Sequence, residues 1–277
     1  MTSVGSRLRE NPAASAPGFL ESLGGWATAK LAVFVGLSTL LYLGFREFFA
    51  ERKRGFPLVW EITLRQIYFT GVEAVRVVTV VALALGTVII VQAGTQLSFL
   101  GGVEFVVPIL VIVMCREVGP LLTAIIVIAR SGTAIATELG NMVVGEELGA
   151  IEAMGINPVY FIVSPRIVGV TVAVLCLTAV FISVGLLGGF ALSKLLLPVK
   201  LEPFIQELQN SLKINDVLFA SLKSLIFGVL ISLSCTYHGL RAGLSIIEVP
   251  QVATRGVVSA LLFCIGSNAL LTVLFYL

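Results

Sequence analysis

Two charges sit where the sequence offers them no water. Arg116 and Glu117 fall inside VPILVIVMCREVGPLLTAIIVIAR, an otherwise apolar run. A carboxylate beside a guanidinium in such a place could relay a proton, orient the polar end of an amphipathic ligand, or tie two helices together. Glu117 lies 13 residues after Glu104 and 13 before Arg130. At ~1.5 Å rise per residue each gap is roughly 20 Å, which puts the pair near the middle of a bilayer. A charge there costs at least about 2.5–3.5 kcal/mol on insertion scales, so such residues face a cavity or a partner helix. Adjacent helical residues point about 100° apart, so the two cannot neutralise each other on one face. Other groups, water or a polar ligand must contribute. A structural interhelix pair and the lining of a functional cavity both stay open. Gly119-Pro120, directly after, predicts a kink or a loosened backbone ladder.

The second informative stretch is SGTAIATELGNMVVGEELGAIEAMGINPVYFIVSPR, residues 131–166. It is too polar to span a membrane and too patterned for a loop. Val144, Leu148 and Ile151 form a helical stripe, with Glu146, Glu147 and Glu152 on other faces. Gly155 and Asn157-Pro158 stop the pattern. A short acidic amphipathic helix between two spans can rest on the bilayer or dock a cytoplasmic partner. Acidic residues suit an anionic inner leaflet poorly, which favours the partner.

The elements that must hold these residues are membrane helices. Of 277 residues, 57% are hydrophobic and 12% charged, against roughly a quarter charged in a soluble domain. Mean hydropathy is +1.04, and the apolar residues come in runs long enough to cross a core that needs about 20 of them. Five runs qualify, at roughly 72–93, 104–130, 160–192, 216–238 and 254–276. A sixth, at about 26–45, carries Lys30 and ends in Arg46-Glu47; it reads either as a span or as an interfacial helix. Residues 1–18 are polar and rich in small side chains, and read as a flexible cytoplasmic tail. Segment 202–213 reads as a short amphipathic helix, with Phe204, Ile205, Leu208 and Leu212 toward one side.

Charge sets the orientation. Arg52, Lys53 and Arg54 place the stretch before the first core span in the cytoplasm, whereas Ala93 to Val103 holds no Lys or Arg. Arg130 and Arg166 flank a second inside segment, and Arg241 and Arg255 bracket a third. Lys194, Lys200 and Lys213 run against the rule on the outer side, partly offset by Glu202 and Glu207.

Soluble catalysis has no foothold. There is no G-x-x-x-x-G-K-[ST] phosphate loop, no H-E-x-x-H and no G-x-S-x-G. Cys115, Cys176, Cys235 and Cys264 lie singly in apolar segments and read as small hydrophobes, not as a disulfide or metal framework. His238 reads as a helix-end residue. A net charge of +2 without a basic stripe gives no nucleic-acid signal. No repeat points to an inverted-repeat carrier. Gly185, Gly188, Gly189 and Ser193 read as helix-packing positions.

The run from Arg116 to Arg166 resembles the signature of MlaE-type permeases, the membrane subunits of ABC transporters that work with MCE-domain proteins on lipids. The likeness includes Arg116-Glu117-x-Gly119-Pro120, Arg130, Glu138-Leu139-Gly140, Met142, Glu146-Glu147, Ala150, Met154-Gly155, Pro158 and Pro165-Arg166. Weaker likeness takes in Arg65-Gln66-Ile67-Tyr68, Gln92 and Ala253-Thr254-Arg255. The resemblance implies an all-α integral membrane fold. One permease domain over 19–277 would have an interfacial N-terminal helix, five spans and a cytoplasmic coupling segment at 131–158. It implies a homodimer, a separate cytoplasmic ABC ATPase, an MCE-domain substrate-binding partner and membrane lipid as cargo, with no cofactor and no catalysis in this chain. Ile89, Leu97, Leu100, Arg116, Glu117 and Val118 map near the lipid pocket. Glu138, Val144, Glu146, Glu147, Leu148, Ile151 and Met154 map to the ATPase-coupling surface. Its default location is the inner membrane of a two-membrane bacterium. One departure stands out. Many members carry an acidic residue and then an aromatic in the last span, where this chain has Asn268-Ala269. The rival reading is a self-contained secondary carrier for an amphipathic solute, with Glu117 as proton relay.

Overall fold

A computed structural model describes residues 35–44, 46, 56–98, 105–194, 201–243 and 245–276. Among the described residues the chain is helical, without strands, as a backbone in hydrocarbon must be to satisfy its own polar groups. Five helical rods are long and apolar enough to cross a membrane: Pro57–Leu97, Val106–Val144, Val159–Ser193, Ile214–Gly239 and Ile246–Phe275. The described part of the N-terminal apolar run is a short helix, α1, Val35–Gly44. The rest of the 26–45 reading, and the 1–18 tail, lie outside the described residues.

The first rod joins α2 (Phe56–Thr70) through a short 3₁₀ turn to α3 (Val75–Ser98). The second comprises α4 (Val106–Val111), a π-helical stretch Ile112–Val118, α5 (Gly119–Val127), a second π-helical stretch Ile128–Gly132, and α6 (Thr133–Val144). After α7 (Glu147–Ala153) the third rod opens with a π-helical turn and runs through α8 (Ser164–Ser183), a further π-helical turn and α9 (Gly189–Ser193). The amphipathic α10 (Leu201–Ser211) precedes the last two spans, α11 (Ile214–Gly239) and α12 (Val249–Tyr276).

The rods overrun the apolar runs. The second continues well beyond Arg130, to Val144. Hydropathy marks where the bilayer ends, whereas helix ends are set by breakers, here Gly145 and the left-handed Glu146.

α11 is the central post and packs chiefly on α8 and α12, and also on α5 and α6. Phe181, Phe227, Leu110, Met114, Ile128, Ile135, Leu177 and Ile231 fill the interior. The C-terminal half of α3 lies against α9 and the turn before it. There the backbones nearly touch: a methyl group built on Gly189 would stand 2.8 Å from the Cα of Gly86. Without a hydrophobic drive between helices in lipid, such close approach is how packing energy is gained. The reading of Gly185 and Gly189 as packing positions agrees with this crossing. α10 seats Phe204 in the core, stacked on Phe190 with ring centroids 4.1 Å apart.

Candidate functional site

Pro120 shapes the helix around the central charges. It has no amide hydrogen, and its ring excludes the ordinary bond to the carbonyl four residues back, that of Arg116. The helix relaxes by widening: the Gly119 amide reaches back to the Met114 carbonyl, a π-type bond. Glycine is required there because a side chain would collide with that same carbonyl. The Arg116 carbonyl, released from the ladder, accepts a hydrogen bond from Lys223 Nζ at 2.7 Å.

Lys223 lies on α11, and its side chain is 0% exposed. It also donates to Glu117 Oε1 at 3.1 Å and to Thr272 Oγ1 at 2.9 Å, which matches the three donors of an ammonium group. Thr272 and Asn268, both on α12, reach the same carboxylate. The Thr272 hydroxyl lies 2.9 Å from Glu117 Oε1, and Asn268 Nδ2 donates to Oε2 at 3.1 Å. Glu117 is thus tied to two other helices, yet its side chain remains 32% exposed.

Arg116 points elsewhere. Its Nε donates to Asp216 Oδ1 at 2.7 Å, and the Asp216 side chain is only 2% exposed. Asp216 sits in the first turn of α11, where the helix dipole favours an anion, and its other oxygen accepts the Lys213 amide at 3.3 Å. Two aromatic rings close the cluster. Phe219 and Phe275 stack with centroids 4.1 Å apart. Lys223 Nζ lies 4.7 Å from the centre of the first, and Arg116 Cζ 5.4 Å from that of the second. Two cations and two carboxylates sum to zero.

The geometry answers the question of how adjacent charges on different faces are satisfied. Each has its own partner, Asp216 for Arg116 and Lys223 for Glu117. Asn268 fits as a neutral donor: a carboxylate in its place would face Glu117 directly. Asp216, Lys223 and Thr272 are members of the site that were not evident from the sequence motifs. The signal for Lys223 was present, since it is the one charge in the apolar run VLFASLKSLIFGVL.

Other expected site residues are not gathered here. Val118 is half-buried beside the charges, while Ile89 and Leu97 are half-buried on α3, whose main neighbours are α9, α4 and α8 rather than α12. Leu100 lies outside the described residues.

The acidic segment differs from the single amphipathic helix that the stripe Val144, Leu148 and Ile151 predicts. It breaks at Gly145 and Glu146, where Glu146 takes a left-handed conformation with φ 56°. Val144 closes α6. Leu148 and Ile151 on α7 turn toward the bundle, Glu146 and Glu147 are exposed, and Met154 is 68% exposed. No α7 residue is buried, so this helix projects from the bundle. Glu138 belongs to α6 and pairs with Arg166 at 3.0 Å.

This is a five-span helical membrane protein whose second span holds a buried charge network in common with its fourth and fifth. The family described as Permease MlaE matches residues 63–274. The chain belongs to that family, as its motif implied. It is 30% identical over 214 residues to a probable ABC transporter permease protein of Synechocystis, covering 77% of this chain and 81% of the relative. A probable ABC transporter permease protein of Rickettsia prowazekii is 28% identical, with 79% of this chain and 85% of the relative covered. The intermembrane phospholipid transport system permease protein MlaE of Haemophilus influenzae is 25% identical, with 81% and 85% covered.

Proposed function

We propose that this chain is the transmembrane permease subunit of an ABC-type lipid transporter. It would move lipid, phospholipid first, between the membrane and an MCE-domain partner, driven by ATP that a separate cytoplasmic subunit hydrolyses. The observation that carries the reading is the Glu117 cluster: a partly exposed carboxylate fixed by Lys223, Thr272 and Asn268 at membrane depth, in a chain of the permease family. The cargo class is suggested by the Haemophilus relative, an intermembrane phospholipid transport system permease.

A single chain keeps Ile89 and Leu97 on α3 away from the charges that α11 and α12 hold. A common lipid path therefore calls for a second copy, with α3 of one chain facing α12 of the other. The apolar α3 side chains would meet acyl chains, a contact worth about 0.8 kcal/mol per CH₂ relative to water. Arg116 and Glu117 would address the polar end. The projecting α7, with Met154 and the acidic pair Glu146 and Glu147, is the surface we assign to the ATPase. The segment at 26–45 is assigned to the cytoplasmic interface, and the assembly to an inner membrane facing an outer one. The secondary-carrier reading fits less well, because a relay must exchange partners and Glu117 is anchored on two helices.

Photocrosslinking amino acids at positions 97 and 117 test the path. Both are expected to capture phospholipid, and Glu117→Gln is expected to lower capture at 97 while the dimer persists. Capture only at an exposed site on another helix, such as Val172 on α8, would refute the central path.

A further inference from the structure

A second polar site lies at the other end of the bundle and plays no part in the lipid path. A cavity of about 590 Å³ opens between α2, α6 and the turn that leads into α8. Its lining mixes apolar side chains, Ile62, Phe69 and Phe161, with the charged Arg65, Arg166 and Glu138.

Arg166 is the telling residue. Its side chain is 8% exposed, Nη2 pairs with Glu138, and Nη1 is buried without an acceptor. A guanidinium carries five donors, and a buried one left unmet is unfavourable. Glu138 is 61% exposed and free to swing to water, whereas Arg166 cannot follow it. Arg65 adds a second guanidinium, whose partner Glu61 is a solvent-exposed neighbour one helical turn away. Such pairs are weak and exchange readily. The nearby Arg130 is occupied by Glu73 and the Phe69 carbonyl. Two cations thus line the cavity against one carboxylate, among apolar side chains.

We infer that this cavity binds the anionic headgroup of a membrane lipid. The phosphate takes the donors of Arg65 and Arg166, and an acyl chain runs along Ile62, Phe69 and Phe161. A free anion would have no use for those apolar side chains. The site lies at the end that carries Arg65, Arg130 and Arg166, which the positive-inside rule assigns to the cytoplasm, where leaflet lipids are anionic. The inference needs only a membrane protein and does not depend on the transport reading.

The test uses the full chain in nanodiscs containing phosphatidylglycerol or phosphatidylcholine with the same photoreactive acyl chain, with crosslinks mapped by peptide. Phosphatidylglycerol is expected to label the α2 and α6 peptides roughly tenfold more than phosphatidylcholine, which offers the same phosphate but brings a choline cation against the two guanidiniums. Arg65→Gln removes an exposed cation, and Ala134→Leu fills the cavity without touching a charge. Each is expected to lower that labelling by about tenfold. Equal labelling by the two lipids, or labelling unchanged in both variants, overturns the inference. Displacement of the lipid by inorganic phosphate alone makes this a site for free anions and overturns the lipid assignment. Labelling near positions 97 and 117 is read in the same map, so a failure of the central path is seen separately.

Discussion

Lys223→Met is the most exacting perturbation of the charge network. The methionine nearly keeps the volume and removes the ammonium, so packing is conserved while three acceptors lose their donor. Removing one partner of a buried ion pair costs about 3–5 kcal/mol, because the other charge is left uncompensated. Two features set the value at the low end. Glu117 is 32% exposed, so water can reach its carboxylate, and Asn268 and Thr272 still hold it. We therefore expect a loss of about 3 kcal/mol. Adding Glu117→Gln to Lys223→Met removes the stranded charge and is expected to restore about 1–2 kcal/mol, a coupling within the usual range for contacting residues. The assay is reversible unfolding in mixed micelles, with the double-mutant cycle completed by Glu117→Gln alone. A loss below about 1 kcal/mol for Lys223→Met, with strictly additive effects, would show that water or lipid already compensates Glu117 and that the pair does not hold the second span, α11 and α12 together.

Further outcomes follow from other parts of the molecule. Gly189→Ala is expected to destabilise by about 1–3 kcal/mol in the same micelle assay, because the added methyl meets the Gly86 backbone. Gly149→Ala is the control, since its methyl meets nothing within 4 Å; equal effects would refute the close-crossing argument. Replacing both Glu146 and Glu147 by Lys is expected to leave unfolding unchanged, since exposed charges add little to stability, and to abolish pull-down of the ATPase. Normal pull-down would take the docking role from α7. Pro120→Ala restores an amide that can claim the Arg116 carbonyl from Lys223. Slower hydrogen exchange across residues 112–120 is expected, and unchanged exchange would remove proline as the cause of the widening.

The spans and the unusual chemistry of the second one were legible because both follow from local cost. Long apolar runs have few homes, and a charge inside one demands an explanation. The same rule, applied to Lys223, would have found the partner of Glu117. Asp216 was harder, since a carboxylate at a helix start is commonplace in any protein and its burial depends on which helix stands opposite. The cavity around Arg166 was beyond reach for another reason. It is assembled from α2, α6 and α8, with about 100 residues between Arg65 and Arg166, and no periodicity within one segment reports on how three segments meet. The break at Glu146 was hidden because the apolar stripe Val144, Leu148, Ile151 continues across it.

The widened turns at Ile112–Val118 and Ile128–Gly132 have a consequence for angular phase. Each wide ring holds one more residue than a regular turn, so everything beyond it sits about 100° behind its place in a regular helix. A helical wheel drawn through Val106–Val144 as one regular rod loses its phase at the first widening and again at the second. The side of the rod that carries Glu117 and the side that carries Glu138 are therefore set independently, each by its own segment. The two ends of this span can be tuned apart, by a one-residue insertion or deletion between them, without a break in the helix that joins them.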